Sequence, residues 1–218
     1  MSQSISLYKQ LANHKHYSKT INFDLKRIKL VLKKLDHPEK KLNNVINFLG
    51  SSGKYTTLYS VKSFIEANNQ TVSAYISPSL KDIKERFWMG NRFLTYQEIR
   101  KSIKLIAKQK VRLTIFEVLT VIYVIYAAKQ NVDYHLVEAG ALFAKDSTNI
   151  FDFPMAQVIV NINKQHLNFL AKNKKTLDEV IYQKVGFLSN FTNIYIGKQK
   201  LYVLNKIKKN LKNNKSKI

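Results

Sequence analysis

The segment at positions 45–57 constrains the fold more strongly than any other part of the sequence. It reads VINFLGSSGKYTT, an apolar run that passes through Gly50 and Gly53 into Lys54 and an amphipathic stretch. The apolar run predicts a buried strand, and the spacing of apolar residues after Lys54 predicts a helix. Glycines let backbone N–H groups approach an anion, the start of a helix adds a positive dipole, and the lysine adds a mobile cation. The segment therefore predicts a strand, a phosphate-binding turn and a helix.

Taken alone, this motif does not distinguish a phosphate site from an ordinary surface turn. The two glycines are closer together than in the G-x-x-x-x-G-K-[ST] pattern, and Tyr55 stands where that pattern has Ser or Thr. Glycine-rich turns that bind no ligand are common. Both interpretations remain open until the rest of the chain is considered.

Strand-like and helix-like segments alternate along the rest of the chain. Helical spacing of apolar residues is found at 23–35, 58–65, 95–108, 114–130 and 176–187, and strands are predicted at 71–77, 133–138, 157–162 and 193–196. The longest apolar run, at 118–128, falls short of the roughly 20 residues that span a membrane, so it predicts a buried helix. This alternation predicts an α/β fold with a mostly parallel sheet and helices on both faces.

The composition limits the classes of partner. The net charge is +23, yet only five of the 37 basic residues are arginine, the preferred reader of bases and phosphates. We therefore expect a lysine-coated surface and no nucleic-acid partner, although a basic nucleic-acid binder stays as an alternative. The chain has no cysteine, and its first 17 residues lack a signal-peptide stretch, which predicts a cytoplasmic protein without a membrane partner. The oligomeric state stays open.

Polar residues follow four of the predicted strands. They are Gly50 to Lys54, Ser77-Pro78, Glu138-Ala139-Gly140 and Asn163 to His166. Because ligands gather at the carboxyl ends of parallel strands, we expect these loops to meet at one edge of the sheet. A cation, a hydroxyl, a carboxylate and an imidazole suit Mg²⁺ bound with a nucleoside triphosphate. When each residue is considered by itself, two other roles remain open. Glu138 could pair with a nearby lysine, and His166 could be an ordinary loop residue.

The order of motifs resembles the amino-terminal, Mur-ligase-like ATPase domain of folylpolyglutamate synthase/dihydrofolate synthase, from Phe23 to about Gln199. Family members carry a G-T-N-G-K-G-S/T turn, T-S-P-H, E-R, L-T-x-F-E, E-V-G-L-G-G-R-x-D-A-T-N, S-I-x-x-D-H and K-x-G-I. The corresponding segments here are Gly50-Ser51-Ser52-Gly53-Lys54-Tyr55-Thr56, Ile76-Ser77-Pro78-Ser79, Glu85-Arg86, Leu113-Thr114-Ile115-Phe116-Glu117, Glu138 through Asn149, Asn161 through His166, and Lys184-Val185-Gly186-Phe187. Seven motifs in the same order are more specific than any one of them.

The resemblance implies a P-loop-type central domain of a ligase that uses ATP and Mg²⁺ to join L-glutamate to a folate or dihydropteroate carboxylate through an acyl phosphate. It implies that ATP phosphates bind at Gly50, Ser51, Ser52, Gly53, Lys54, Tyr55, Thr56 and Thr57. It places Mg²⁺ at Ser77, Glu138 and His166 and at Lys184, the position of a carbamylated lysine in the family. Lys54, Lys184 and His166 are the implied catalytic residues.

The resemblance also implies limits. Tyr55, Ser79, Leu142-Phe143-Ala144 and Gln165 differ from the family pattern. Family enzymes continue into a carboxy-terminal domain that completes the ATP and amino-acid sites. We therefore expect an incomplete ATP-binding domain at 1–205, a basic tail at 206–218 that is helical and then frayed, and no carboxy-terminal ligase domain. Ligase activity of this chain alone is in doubt, and the alternative is an inactive nucleotide-binding pseudoenzyme or interaction module on the same scaffold.

Overall fold

The computed structural model describes residues 3–13, 17–18 and 23–218. The described strands are β1 (Tyr17–Ser18), β2 (Val45–Leu49), β3 (Val72–Tyr75), β4 (Phe87–Met89), β5 (Leu113–Thr114), β6 (Tyr134–Glu138), β7 (Ala156–Ile159) and β8 (Asn193–Ile196). Six of them form the central sheet in the order β4-β3-β6-β2-β7-β8, while β1 and β5 pair separately. Within the central sheet only β4 runs antiparallel to its neighbour.

The described helices are α1 (Gln3–Asn13), α2 (Leu25–Lys34), α3 (Lys54–Ala67), α4 (Tyr96–Ala107), α5 (Ile115–Ala127), α6 (Leu177–Val185) and α7 (Leu201–Asn210). Short 3₁₀ helices cover Pro38–Lys41, Ile83–Arg86, Phe143–Lys145, Leu167–Phe169 and Lys172–Lys174. None of the described helices combines the length and the apolar character that crossing a bilayer requires.

Helices cover both faces of the sheet, and successive residues along its strands pack into separate hydrophobic clusters on the two faces. Ala74 and Leu136 pack with Leu58 of α3, whereas the adjacent Tyr75 and Val137 pack in the core that contains α5. Side chains of successive strand residues point to opposite faces, so α3 and α5 lie on opposite sides. A third core joins α6 and α7 to the β7 side of the sheet. The predicted α/β fold with a mostly parallel sheet is confirmed.

The buried helix predicted at 118–128 is confirmed as most of α5, which is apolar almost all round. Its start is secured by a capping box between Thr114 and Glu117, and α4 begins with the equivalent pair Thr95 and Glu98. Both patterns place Thr three residues before Glu, so each helix start is set by local sequence. The capping box of α5 also places the first residues of this helix at the edge of the site described below.

Three expectations need correction. The sequence did not reveal α1, the short pair β1 and β5, or the edge strand β4. Phe64 belongs to the apolar spacing at 58–65, which predicts one apolar face of the helix, but it is 72% exposed and so lies on the solvent side of α3. The end of the chain is not frayed. The N–H of Ile194 donates to Lys217 O (2.8 Å) and the N–H of Lys217 donates to Thr192 O (3.1 Å), so the last residues pair beside β8.

Candidate active site

The glycine turn after β2 has a backbone that only small residues tolerate. Gly50 has a φ of 137° and Gly53 a φ of 92°, both in the region that favours glycine. A Cβ atom on Gly50 would lie 2.5 Å from Val160 Cγ2, whereas one on Gly53 would meet nothing within 4 Å. Gly50 is therefore required by backbone conformation and by close packing against the chain that follows β7.

The loop after β7 holds the turn in place. The N–H of Ser51 donates to Asn161 O (2.8 Å), and Ser51 Oγ donates to Asn163 O (3.2 Å) and accepts from the Asn163 N–H (3.1 Å). Ser52 Oγ accepts from the side-chain amides of Asn163 and Gln165, both at 3.3 Å. These contacts fix the turn before any ligand binds, which lowers the cost of ordering it around an anion.

Lys54 is the first residue of α3, and its amine stays at the turn. Its Nζ donates to Ser51 O at 3.2 Å, and the side chain is 9% exposed. The first helical N–H groups lack partners within a helix, so those of Lys54, Tyr55 and Thr56 lie at its positive end, while the N–H of Thr57 donates to Gly53 O (2.9 Å). The predicted binding segment therefore has the geometry of an anion site.

The Tyr55 ring does not extend over this turn. It packs beside Tyr59, one helical turn further along α3, with ring centroids 4.6 Å apart. Residues i and i+4 lie on the same side of a helix, which explains the contact. The difference from the family pattern at Tyr55 therefore adds a side chain to the surface of α3, next to Tyr59.

Glu138 ends β6 beside the turn. Its Oε1 lies 3.9 Å from Lys54 Nζ, and its Oε2 accepts the backbone N–H of Ser77 at 2.9 Å. Burial raises the pKa of this carboxyl, and the Ser77 N–H and the charge of Lys54 oppose that effect. The loops after β2, β3 and β6 therefore meet at one edge of the sheet, as the strand ends predicted. The lysine partner considered for Glu138 is Lys54.

His166 follows β7 and has a left-handed backbone with a φ of 65°. Its ring stacks on Phe169 with centroids 5.8 Å apart, and its buried Nδ1 has no hydrogen-bond partner among the described residues. Burial, together with the positive charges of Lys184 and Lys54, lowers the pKa of His166 to about 4. The imidazole is therefore neutral near pH 7, and its buried Nδ1 is left without a partner among the described residues.

Lys184 of α6 is fully buried behind the turn. Its Nζ donates to Gly50 O at 2.7 Å and to Ala141 O at 2.6 Å. Burial, assisted by the charge of Lys54, lowers the pKa of this amine to about 7. Lys184 thus ties the turn to the loop after β6, and it does not line the neighbouring cavity.

A cavity of about 400 Å³ opens beside Ser77 and His166. Its walls combine aromatic rings with a few polar and charged groups. The lining residues are Tyr8, Phe23, Ser77, Arg86, Thr114, Ile115, Phe116, Glu117, Leu119, Gly140, Ala141, Lys145, Asp146, Ser147, His166 and Phe169. Motif comparison pointed to the segments of Arg86 and Glu117 without giving them roles. It missed Tyr8, for which the only signal was the helical spacing of Leu7 and Leu11.

The two acidic residues of the cavity already have partners. Glu117 Oε1 accepts from Arg27 Nη2 at 3.1 Å, and its Oε2 accepts the Thr114 N–H. Asp146 Oδ2 accepts the Ala141 N–H (2.9 Å), and its Oδ1 accepts from the backbone and hydroxyl of Thr148 (3.0 and 2.6 Å). Both carboxylates therefore shape the loops around the cavity.

The oxygen groups near the turn suit a metal that shares its ligands with phosphates. No group of three or more His, Cys, Asp or Glu side chains that could hold a metal ion occurs in the described part of the chain. Glu138 and the Ser77 hydroxyl are one carboxylate and one neutral oxygen at the sheet edge. Mg²⁺ commonly takes one or two protein oxygens and completes its shell with phosphate and water, so this donor set fits Mg²⁺ bound with a nucleotide.

Fold and site together define an α/β protein with an anion-type glycine turn at the carboxyl edge of a parallel sheet. No protein-family model matches the chain. It is 27% identical over 173 residues to the dihydrofolate synthase/folylpolyglutamate synthase of Bacillus subtilis, an alignment that covers 75% of this chain and 39% of that protein. It is 28% identical over 171 residues to the folylpolyglutamate synthase of Arabidopsis thaliana, covering 74% of this chain and 27% of that protein.

Solved structures agree with these sequence matches. The Escherichia coli FolC in complex with DHPP and ADP superposes with a TM-score of 0.85 at 25% identity, over 99% of this chain and 50% of that one. Folylpolyglutamate synthase from Thermotoga maritima gives a TM-score of 0.81 at 21% identity, over 98% and 48%. The resemblance drawn from the motifs is confirmed: this chain is related to the folylpolyglutamate/dihydrofolate synthases. It spans about half the length of these solved structures and less of the curated relatives.

Proposed function

We propose that this chain forms the ATP-binding part of a cytoplasmic, ATP-dependent ligase that joins L-glutamate to the carboxylate of a folate or of dihydropteroate through an acyl phosphate. The observation that carries the proposal is the turn at Gly50 to Thr57, with Lys54 Nζ 3.2 Å from Ser51 O and 3.9 Å from Glu138 Oε1. The names of the related proteins support the reaction class.

In this proposal the backbone of the turn and Lys54 hold the phosphates of ATP. A fixed lysine and oriented N–H groups stabilise negative charge that develops as a phosphoryl group moves. Related structures are complexes with AMPPCP or ADP, which supports a nucleotide ligand for this chain. Because Lys54 is nearly buried, its charge acts in a weakly screened environment.

Glu138 and Ser77 would hold Mg²⁺, which supplies neutralising charge to the transferring phosphoryl group when bound. The Ser77 N–H orients Glu138 Oε2, and Lys54 lies on the side of Oε1. His166, which is neutral near pH 7 and lines the cavity, would be the further ligand of the metal. These side chains come from three different strand ends, so the parallel sheet is what assembles them.

Lys184 is the proposed site of carbamylation. With a pKa of about 7, a substantial fraction of the amine is neutral near pH 7 and can add to CO₂, releasing a proton and forming an N-carboxylate. The nitrogen of a carbamate keeps one N–H. The modification would therefore leave either Gly50 O or Ala141 O without the donor that Lys184 now provides.

The cavity is the proposed site of the pterin-containing substrate. Phe23, Phe116 and Phe169 give it flat apolar walls, and Phe23 and Phe169 meet edge to face at 5.4 Å. The position of the cavity beside Ser77 and His166 would bring a substrate carboxylate near the phosphate turn. This arrangement suits an aromatic acid that receives a phosphoryl group.

A second candidate is a nucleotide-binding module without ligase activity. It is favoured by the loop after β6, where Phe143 is 1% exposed in the core with α6 and Leu142 and Ala144 are also buried. Apolar residues anchor this loop at positions where the family pattern has Gly-Gly-Arg. The loop thus lacks a cation that the pattern would place there.

Calorimetry of the 218-residue chain with Mg·ATP and with dihydropteroate, followed by a glutamate-dependent phosphate-release assay, tests the proposal. We expect binding of both ligands and no measurable glutamate-dependent release by this polypeptide alone. Ligation requires glutamate to be held against the activated carboxylate with water excluded, and in the resembling enzymes a second domain completes that pocket. Binding of Mg·ATP without dihydropteroate supports the inactive module, and binding of neither ligand contradicts both candidates.

A further inference from the structure

The cavity is lined by a buried cation, Arg86, whose guanidinium forms no salt bridge with a described residue. Arg86 is 8% exposed, and its guanidinium lines the cavity wall. Among the described residues no carboxylate lies within 4.0 Å of it, and the remaining residues of the chain include no Asp or Glu. Burial raises the pKa of the nearby Glu138 and the charge of Arg86 opposes that effect, but no carboxylate of the described residues contacts the guanidinium directly. A buried charge without a contacting counterion is costly, so the cavity has a place for an anionic group of a ligand.

Tyr8 controls the direction of this guanidinium. Arg86 Nε donates to the Tyr8 hydroxyl at 3.1 Å, and Arg86 Nη1 reaches Ile76 O at 3.5 Å. The Tyr8 hydroxyl oxygen also lies 3.1 Å from Ser79 Oγ. Since Tyr8 accepts from Arg86, its own proton can be donated to Ser79. Tyr8 and Arg86 line the cavity, and Ser79 continues their chain of hydrogen bonds outside its lining.

Helix α1 is firmly attached to the segment that carries Arg86. Leu7 and Leu11 are fully buried, and Ser4 Oγ accepts the N–H of Ile83 at 2.9 Å in the short helix that ends at Arg86. Tyr8 therefore has a fixed position from which to orient the guanidinium. The contacts of Nε to Tyr8 and of Nη1 to Ile76 O leave Nη2 and the second N–H of Nη1 as donors for an anion, and arginine binds carboxylates through such terminal N–H groups.

We infer that Tyr8 is a positioning residue, assisted by Ser79, that directs the Arg86 guanidinium into the cavity to bind the carboxylate of the aromatic substrate. This inference rests on the proposed function, because the ligand is taken to be a pterin-containing acid. Tyr8 acts through Arg86, and Arg86 is the residue that contacts the ligand. Lys145, an exposed residue at the same cavity, is not held by such a network.

The test compares two probes, dihydropteroate and its methyl ester, which differ in the charge at one end. We expect Arg86→Gln to weaken binding of the acid about tenfold or more, and Tyr8→Phe about three- to tenfold, with ester binding within about twofold of the unmodified chain. Tyr126→Phe removes a phenol hydroxyl that donates to Glu98 O, away from the cavity, and should change neither affinity. A purely structural role for Tyr8 would weaken acid and ester equally.

Three outcomes would overturn the inference. Equal effects on acid and ester, or no effect in Tyr8→Phe and Arg86→Gln, would show that Arg86 does not read the carboxylate. Failure of the unmodified chain to bind dihydropteroate while it binds Mg·ATP would overturn the proposed substrate and the inference with it. If Arg86→Gln does not fold, Arg86→Lys keeps the charge but loses the planar donor pair, and the same selective loss of acid binding is expected.

Discussion

At the scale of single residues, the titratable side chains of the site are buried or half-buried and in contact with other protein groups. Lys54 is held between Ser51 O and Glu138, Lys184 between two carbonyls, and His166 beside Phe169. Burial favours the neutral forms of Lys184 and His166 and of the Glu138 carboxyl. Perturbed groups that meet at one sheet edge are typical of functional sites.

Replacement of Lys54 tests the phosphate turn directly. We expect Lys54→Ala to weaken Mg·ATP binding by about 1.5–3 kcal/mol, because a charge-assisted contact to phosphate is lost. Calorimetric titration measures the change. Lys62→Ala is the matched control, since Lys62 lies on the same helix and pairs with Glu66 at 2.7 Å, away from the turn. Equal affinities of Lys54→Ala and the unmodified chain would refute the assignment.

A second residue-scale prediction concerns His135, which is 3% exposed between β3 and α5. Its Nδ1 lies 2.7 Å from Ser73 Oγ, and burial lowers its pKa to about 4 from 6.5. The unfolded chain therefore binds the proton more readily. The contribution of the neutral imidazole is fully present above pH 6.5 and is lost as the pH falls towards 4, by up to about 1.4 kcal/mol per pH unit.

Urea denaturation between pH 7 and pH 4 measures this effect. The free energy of unfolding should fall less steeply in His135→Gln than in the unmodified chain, because the variant lacks the titrating group. His166→Asn removes the other histidine whose pKa is lowered to about 4, so this variant should also show a less steep fall. Identical slopes for the unmodified chain and His135→Gln would disprove the assignment of a buried neutral histidine.

At the scale of elements, the turn between β2 and α3 is defined by its two glycines. Gly50 combines a φ of 137° with close contact to Val160, whereas Gly53 has a φ of 92° and open space around it. Substitution by alanine at each of the two glycines therefore separates backbone strain from steric overlap. Only the substitution of Gly50 would also disturb the contacts of Ser51 with the loop after β7.

We expect Gly53→Ala to lower the free energy of unfolding by about 1–2 kcal/mol from backbone strain alone. Gly50→Ala should lower it by about 1–3 kcal/mol more, because Val160 must move to admit the methyl group. Urea denaturation of both variants at pH 7 measures the difference. A larger loss in Gly53→Ala than in Gly50→Ala would contradict the close packing at Gly50.

At the scale of the whole molecule, the chain carries a net charge of +23, and most of its lysines are not among the buried described residues. Lysines dominate the basic residues and lie along the entire chain. Diffuse attraction of this kind depends strongly on ionic strength, because counterion release provides the binding energy.

We therefore expect any binding of DNA or RNA by this protein to be independent of sequence and lost by about 200 mM salt. Fluorescence anisotropy with two duplexes of different sequence, titrated at low and high salt, measures it. Tight and sequence-selective binding at high salt would restore the nucleic-acid alternative.

The sequence by itself determined the parallel α/β sheet and the position of the turn. Both are local in origin: apolar periodicity sets strands and helices, and glycine spacing sets the backbone of the turn. Capping residues such as Thr114 and Glu117 likewise set the start of α5 from neighbours three positions apart. The helical start of the basic tail agrees with α7, whereas its last residues are not frayed, because their pairing beside β8 depends on contacts that no local pattern contains.

Only the tertiary structure decided which side chains face one another across the site. Lys184 meets Gly50 O over a separation of 134 residues, and Arg86 meets Tyr8 over 78. Such pairs depend on how α6 and α1 pack against the sheet, and packing is governed by shape and burial over the whole core. The motifs could therefore nominate Lys184 and Arg86, while the hydrogen bond from Arg86 to Tyr8 had to come from the folded chain.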